Sequence, residues 1–178
     1  IGLHTGVPVT LTLRPAPVGH GYKFQRTDLE GEPIIDADAD LVVSTARGTT
    51  LGKGNVMVNT TEHVLSALYA LGVDNCLIQV SGPEMPIMDG SALPFVHAIE
   101  SVGLEQQDAK RNWYVLKDPL WFETEEKGTE ILGVPAPGGE FRLTVMVDYN
   151  SPVLGTQHAS MYRVEEFKEE IAPCRTFV

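Results

Sequence analysis

"NTTEHVLSALYALGVDNCLIQV", residues 59–80, places a helix and a strand back to back. From Val64 to Leu71 the apolar residues recur at helical spacing, and Gly72 ends the run. "NCLIQV" (75–80) is short and apolar on both faces, which predicts an interior strand. The first helical turn carries Glu62 beside His63, flanked by Thr60 and Thr61. With Asn59 as N-cap, Glu62 falls at the third position, where its carboxylate reaches back in a capping-box-like arrangement and suits the helix dipole. The other reading is chemical: an imidazole ligates Zn²⁺ while an adjacent carboxylate takes the proton from metal-bound water. Local sequence alone favours the cap.

Working outward, "VTLTLRPAP" (9–17) alternates Val9, Leu11 and Leu13 against Thr10, Thr12 and Arg14, a half-buried strand stopped by Pro15. "GYKFQRTDL" (21–29) alternates again, so 9–29 suggests two paired strands. Leu41–Ser44 and Asn55–Val58 are short strand candidates, and "RGTTLGKGN" (47–55) reads as a hairpin turn. "SGPEMPIMDG" (81–90) is a turn-rich loop. "SALPFVHAIESVG" (91–103) reads as a second helix: Ser91 can cap it, Leu93, Val96, Ile99 and Val102 form its stripe, and Gly103 ends it.

A polar linker at 107–112 divides a first unit, 1–106, from a second, 113–178. "PAPVGHGYKFQRTD" (15–28) returns as "PAPGGEFRLTVMVD" (135–148), a Pro-Ala-Pro turn leading into an alternating strand. The echo favours an α+β fold of two tandem related units, each a mixed or antiparallel sheet with two helices packed on it. "RVEEFKEEIAP" (163–173) reads as the start of a helix, with Val164, Phe167 and Ile171 on one face, so the second unit is expected to be incomplete. The chain opens at Ile1 and stops at "APCRTFV", and both ends read as cut.

The net charge is −11, from 13 Lys and Arg against 24 Asp and Glu, which speaks against nucleic acid and against a polyanionic membrane surface. A small anionic substrate is compatible with this balance through a local basic pocket. No run reaches the roughly 20 apolar residues of a membrane span. Cys76 and Cys174 form no C-x-x-C pair, and a thiol within an apolar run fits a reducing, cytoplasmic setting. Oligomeric state is not legible.

Several familiar chemistries are excluded. The second His of an H-E-x-x-H metalloprotease is missing, since Ser66 and Ala67 stand there. There is no G-x-S-x-G elbow and no phosphate-cradling G-x-x-x-x-G-K-[ST] loop. His4, His20, His97 and His158 do not pair with His63 at ligand spacing, and a catalytic zinc needs about three protein ligands.

"GLHTG" (2–6), "VTLTLRPAP", "TTEHVLSALYALGVDN", "PEMPIMDGSALPFV" and "CRTFV" (174–178) together resemble the UDP-3-O-acyl-N-acetylglucosamine deacetylases, zinc enzymes of lipid A biosynthesis, in order and approximate spacing. The resemblance implies hydrolysis of the N-acetyl amide of that UDP-sugar, and a fold of two similar α+β units with the active site between them. It makes Glu62 the general base, His63 a zinc ligand and Thr176 the hydroxyl that helps hold the oxyanion. Phe177 matches an aromatic beside the substrate sugar, and Leu3 and His4 match residues at the rim. The family's other ligands, a His and an Asp four apart on a later helix, have no matching positions here. Nor do its lysine and its general-acid histidine, so residues 1–178 alone are expected to be inactive. Two alternatives stay open: a non-catalytic binding module in which Glu62 only caps, and the deacetylase half of a form fused to a hydroxyacyl-carrier-protein dehydratase.

Overall fold

The computed structural model describes residues 1–124 and 128–176, and within them the fold is α+β. Among the described residues the strands are β1 (Leu11–Pro15), β2 (Tyr22–Arg26), β3 (Ile34–Asp36), β4 (Val42–Ser44), β5 (Thr50–Lys53), β6 (Val56–Val58), β7 (Cys76–Val80), β8 (Leu120–Thr124), β9 (Thr129–Gly133), β10 (Leu143–Asp148) and β11 (Thr156–Met161). The two α-helices are α1 (Glu62–Ala70) and α2 (Leu93–Val102). No helix among the described residues is long and apolar enough to cross a membrane.

The chain forms two compact units. One comprises Ile1–Ala109 and the segment from Lys168 onward, and the other Lys110–Phe167. The tail from Lys168 thus groups with the first unit, although the sequence placed it with the second. The cause is visible at α2: the Ala172 carbonyl accepts from the Ala92 and Leu93 amides at 3.1 and 3.0 Å, filling the helix N-terminus. Lys168 pairs with Glu100 at 2.7 Å.

In the first unit a four-stranded sheet has the order β1-β7-β2-β3. β7 is the interior strand, with Cys76, Ile78 and Val80 buried, as its two-sided apolar composition predicts. It separates β1 from β2, pairing antiparallel with one and parallel with the other, so β1 and β2 are not the paired strands expected of 9–29. Phe24 of β2, Ile35 of β3 and Ile78 of β7 are wholly buried with Val64, Ala67 and Leu68 of α1 and Val96 of α2. Removing one methylene there, as in Ile78→Val, should cost about 0.5–1.5 kcal/mol, read as a lower urea midpoint.

β4, β5 and β6 form a second, antiparallel sheet; the stretch 47–55 expected as a hairpin turn instead contains β5, and the tight turn is Lys53–Val56, with Gly54 at φ 62°. The buried Arg26 of β2 donates to the Met57 carbonyl at 2.6 Å and grips Asp28 with Nε and Nη2 at 2.9 and 2.8 Å, tying the two sheets together. The predicted linker is anchored at Gln107, which donates to the Ala16 carbonyl at 2.9 Å and accepts from Asn75 at 2.7 Å.

The second unit contains two antiparallel hairpins, β8-β9 and β10-β11. The helix expected over 163–173 is instead a 3-10 turn at Val164–Glu166 followed by a π-helical turn at Phe167–Ile171. Glu166 Oε2 accepts from the Tyr162 amide at 2.9 Å, and its Oε1 accepts from Arg163 Nε at 3.3 Å. That local pairing, with the pull of Ala172 on α2, winds the segment differently while Phe167 is still buried.

Candidate active site

Thr60 lies at φ 59°, in the left-handed region. An α-helix cannot run through it, so α1 begins at Glu62, directly after Thr61, and not at Thr60 as an Asn59 cap would require. Asn59 does other work: its side chain accepts from Thr50 Oγ1 at 2.8 Å and donates to the Pro83 carbonyl at 2.8 Å. The capping-box geometry expected for Glu62 is therefore replaced. Its Oε2 accepts from the Thr49 amide, on the segment leading into β5, at 2.9 Å. The amide and hydroxyl of Thr61 both donate to the Thr49 carbonyl at 3.2 Å. The carboxylate is held by a neighbouring sheet, not by its own helix. Gly48 makes room for it, since a Cβ there would come within 3.1 Å of Glu62 Oε1.

His63 follows on the same turn, half-buried, with its carbonyl accepting from Ser66 Oγ at 2.9 Å. Among the described residues no three His, Cys, Asp or Glu side chains stand together as a metal would need. The donor chemistry suits one ligand of a zinc site but does not complete it.

A pocket of about 250 Å³ opens beside the start of α1, lined by His4, Thr5, Arg47, Gly48, Thr60 and Glu84 among others. His4 Nε2 donates to the Arg47 carbonyl at 2.9 Å, so Nε2 carries the proton. The turn that includes Leu3, half-buried, and His4 is thereby brought against the β4-β5 connection. Thr176 donates its amide to the Gly90 carbonyl at 2.8 Å. It joins the far end of the 81–90 loop, whose near end meets the start of α1 through the Asn59–Glu84 bridge. Phe177, expected beside the substrate, lies outside the described residues.

Glu84 is the residue the sequence did not single out. It is 1% exposed, in a loop that reads as plain turn. Its Oε1 accepts from the His4 amide at 3.0 Å and Thr60 Oγ1 at 3.1 Å, and its Oε2 from the Thr5 amide at 2.8 Å and Thr5 Oγ1 at 2.7 Å. A Cβ on Gly2 would collide with this carboxylate, which explains the glycine in "GLHTG". The one available signal was a carboxylate set between Pro83 and Met85 in an otherwise uncharged stretch. Burial alone would raise its pKa, but the donated hydrogen bonds outweigh burial and hold the carboxyl below its ordinary 4.5. A carboxyl depressed on folding stabilises the folded state above its unfolded pKa, and loses that contribution as pH falls from 4.5 through the lowered value. The urea midpoint should therefore fall more steeply with acid below pH 4.5 in the natural sequence than in Glu84→Gln.

The site thus consists of a carboxylate and an imidazole presented together at a buttressed helix start, within an α+β chain. The model of the family described as LpxC, UDP-3-O-acyl N-acetylglycosamine deacetylase, matches residues 1–178, and the chain belongs to that family. The bifunctional enzyme LpxC/FabZ of Bacteroides thetaiotaomicron is 51% identical over 177 residues, covering 99% of this chain and 38% of that protein. Its counterpart in Chlorobaculum tepidum is 51% identical over 178 residues, with the same coverage. The UDP-3-O-acyl-N-acetylglucosamine deacetylase of Methylococcus capsulatus is 44% identical over 180 residues, covering 99% of this chain and 58% of that protein. The chain therefore spans between about two fifths and three fifths of the length of these relatives.

Proposed function

We propose that this chain supplies the general base and one metal ligand of a zinc-dependent deacetylase acting on UDP-3-O-acyl-N-acetylglucosamine, an early step of lipid A biosynthesis. The observation that carries the reading is the Glu62 carboxylate, fixed by the Thr49 amide at 2.9 Å and adjacent in sequence to His63. Zinc, when bound, would supply Lewis acidity and lower the pKa of the hydrolytic water. His63 is one of its ligands, and the rest come from outside the donors described here. Glu62 accepts the proton of that water as it attacks the N-acetyl carbonyl. The Thr49 hydrogen bond fixes one oxygen, so orientation is set without removing the acceptor capacity of the other. The Thr176 hydroxyl donates to the oxyanion, Leu3 and His4 border the substrate, and Phe177 matches the family's aromatic beside the substrate sugar. The two cysteines, both free thiols, are in keeping with a cytoplasmic setting.

The test is acetate release from the UDP-sugar by the whole protein, with Glu62→Gln as the comparison. No release overturns the reading and leaves the binding-module alternative, and release that Glu62→Gln does not touch overturns the assignment of Glu62 as the base. One observation favours the form fused to a dehydratase: relatives named LpxC/FabZ reach 49–51% identity, against 39–44% for those named as deacetylase alone.

A further inference from the structure

We propose that Glu84 is the positioning residue of this site, acting through the hydroxyl of Thr60 and the amides of His4 and Thr5. The inference rests on the reading of Glu62 as the base. Thr60 is a β-branched residue held at φ 59°, a strained conformation that persists only where the surroundings impose it. It stands two residues before Glu62, and its direction decides where α1 starts. Three restraints converge on this short segment. Asn59 is locked to the 81–90 loop by its amide donating to the Pro83 carbonyl at 2.9 Å and its carbonyl accepting from Met85 at 3.0 Å. Thr61 is locked to Thr49. Between them, Thr60 has its side chain held by Glu84 Oε1 at 3.1 Å.

The same carboxylate gathers the turn at residues 2–6, whose His4 in turn holds the Arg47 carbonyl beside Gly48. Glu84 therefore reaches the Glu62 carboxylate from two sides: along the chain through Thr60, and across the pocket through His4, Arg47 and the Gly48–Thr49 backbone that grips Glu62. The His4, Thr5 and Thr60 groups that meet Glu84 are all donors, so an ionised carboxylate satisfies them and a neutral amide cannot: Glu84→Gln would point an NH₂ at one set. The loss would be felt as a displaced base, and a displacement of about 1 Å can cost on the order of 100-fold in rate.

In the whole, zinc-loaded protein, Glu84→Gln should lower kcat by about 10- to 100-fold with little change in KM and unchanged zinc per chain. Thr60→Gly keeps the left-handed backbone without strain and removes only the side chain. It should lower kcat in the same direction, Thr60→Ser should recover most of that loss, and Thr60→Gly should cost little more once Glu84→Gln is present. A purely structural Glu84 would lower the melting temperature and leave kcat per folded, zinc-loaded molecule intact, which overturns the proposal. So would additive losses in the double variant. If Glu84→Gln does not fold, a kcat unchanged in Thr60→Gly overturns it alone. Should Glu62→Gln retain full turnover, the reading of the site fails; a severe loss in Glu62→Gln with none in Glu84→Gln fails the positioning role only.

Discussion

Glu62→Gln in the whole protein should lower kcat by about 10²- to 10⁴-fold, or roughly 3–5.5 kcal/mol of transition-state stabilisation, while zinc content stays at the natural level. Gln keeps the size of the side chain and its oxygen can still accept the Thr49 amide, so the start of α1 should hold. What disappears is the ability to take a proton. The contrast between retained structure and lost turnover separates a base from a cap. A capping carboxylate of the kind the local sequence suggested would show the reverse, with about 1 kcal/mol of stability lost and the rate untouched. The structure already weighs against the cap, because Glu62 satisfies an amide on another element and Thr61 makes no side-chain cap.

His63→Ala should strip the metal from the whole protein. Zinc retained after dialysis, measured per chain by elemental analysis, should fall well below one equivalent, with affinity reduced by more than the roughly 10- to 100-fold that loss of a mere supporting hydrogen bond costs a ligand. Turnover should fall with it, and added zinc should recover part of it. The variant should fold, because His63 is only half-buried and the core of α1 is Val64, Ala67 and Leu68. Full zinc occupancy in His63→Ala would remove this residue from the ligand set while leaving the Glu62 prediction standing. The two substitutions therefore report independently on neighbouring residues.

Local pattern determined a good deal of this molecule. The 3.6-residue spacing of Val64, Ala67 and Leu68, with Gly72 after it, was sufficient for α1, since a helix closes its hydrogen bonds within itself. Two-sided apolarity was sufficient to put β7 inside its sheet. Ala92 and not the expected Ser91 occupies the N-cap of α2, although Ser91 Oγ accepts from the Leu93 amide at 3.2 Å, and Gly103 at φ 76° ends the helix. The stripe of α2 was only partly legible: Phe95, Val96 and Ile99 are buried, whereas Val102 is 84% exposed. The Glu-His pair was visible as a pair, and its chemical meaning came from the family's motifs taken together.

What no local pattern could supply were the partners that lie far along the chain. Strand order is one: β1 and β2 alternate alike, and only the sheet reveals that β7, some 50 residues downstream of β2, stands between them. The end of α2 that Ala172 fills is another. The position of Glu62 is the most consequential. A capping box is scored from four consecutive residues, whereas the Thr60 side chain at the left-handed turn is held by Glu84, 24 residues away, and the grip on Glu62 comes from Thr49, 13 residues before it. The sequence by itself determined α1, α2 and the interior strand β7, and that a carboxylate and an imidazole share one turn. The tertiary structure alone decided where that turn begins and what holds it, because those hydrogen bonds join segments whose proximity exists only once the sheets and helices have packed.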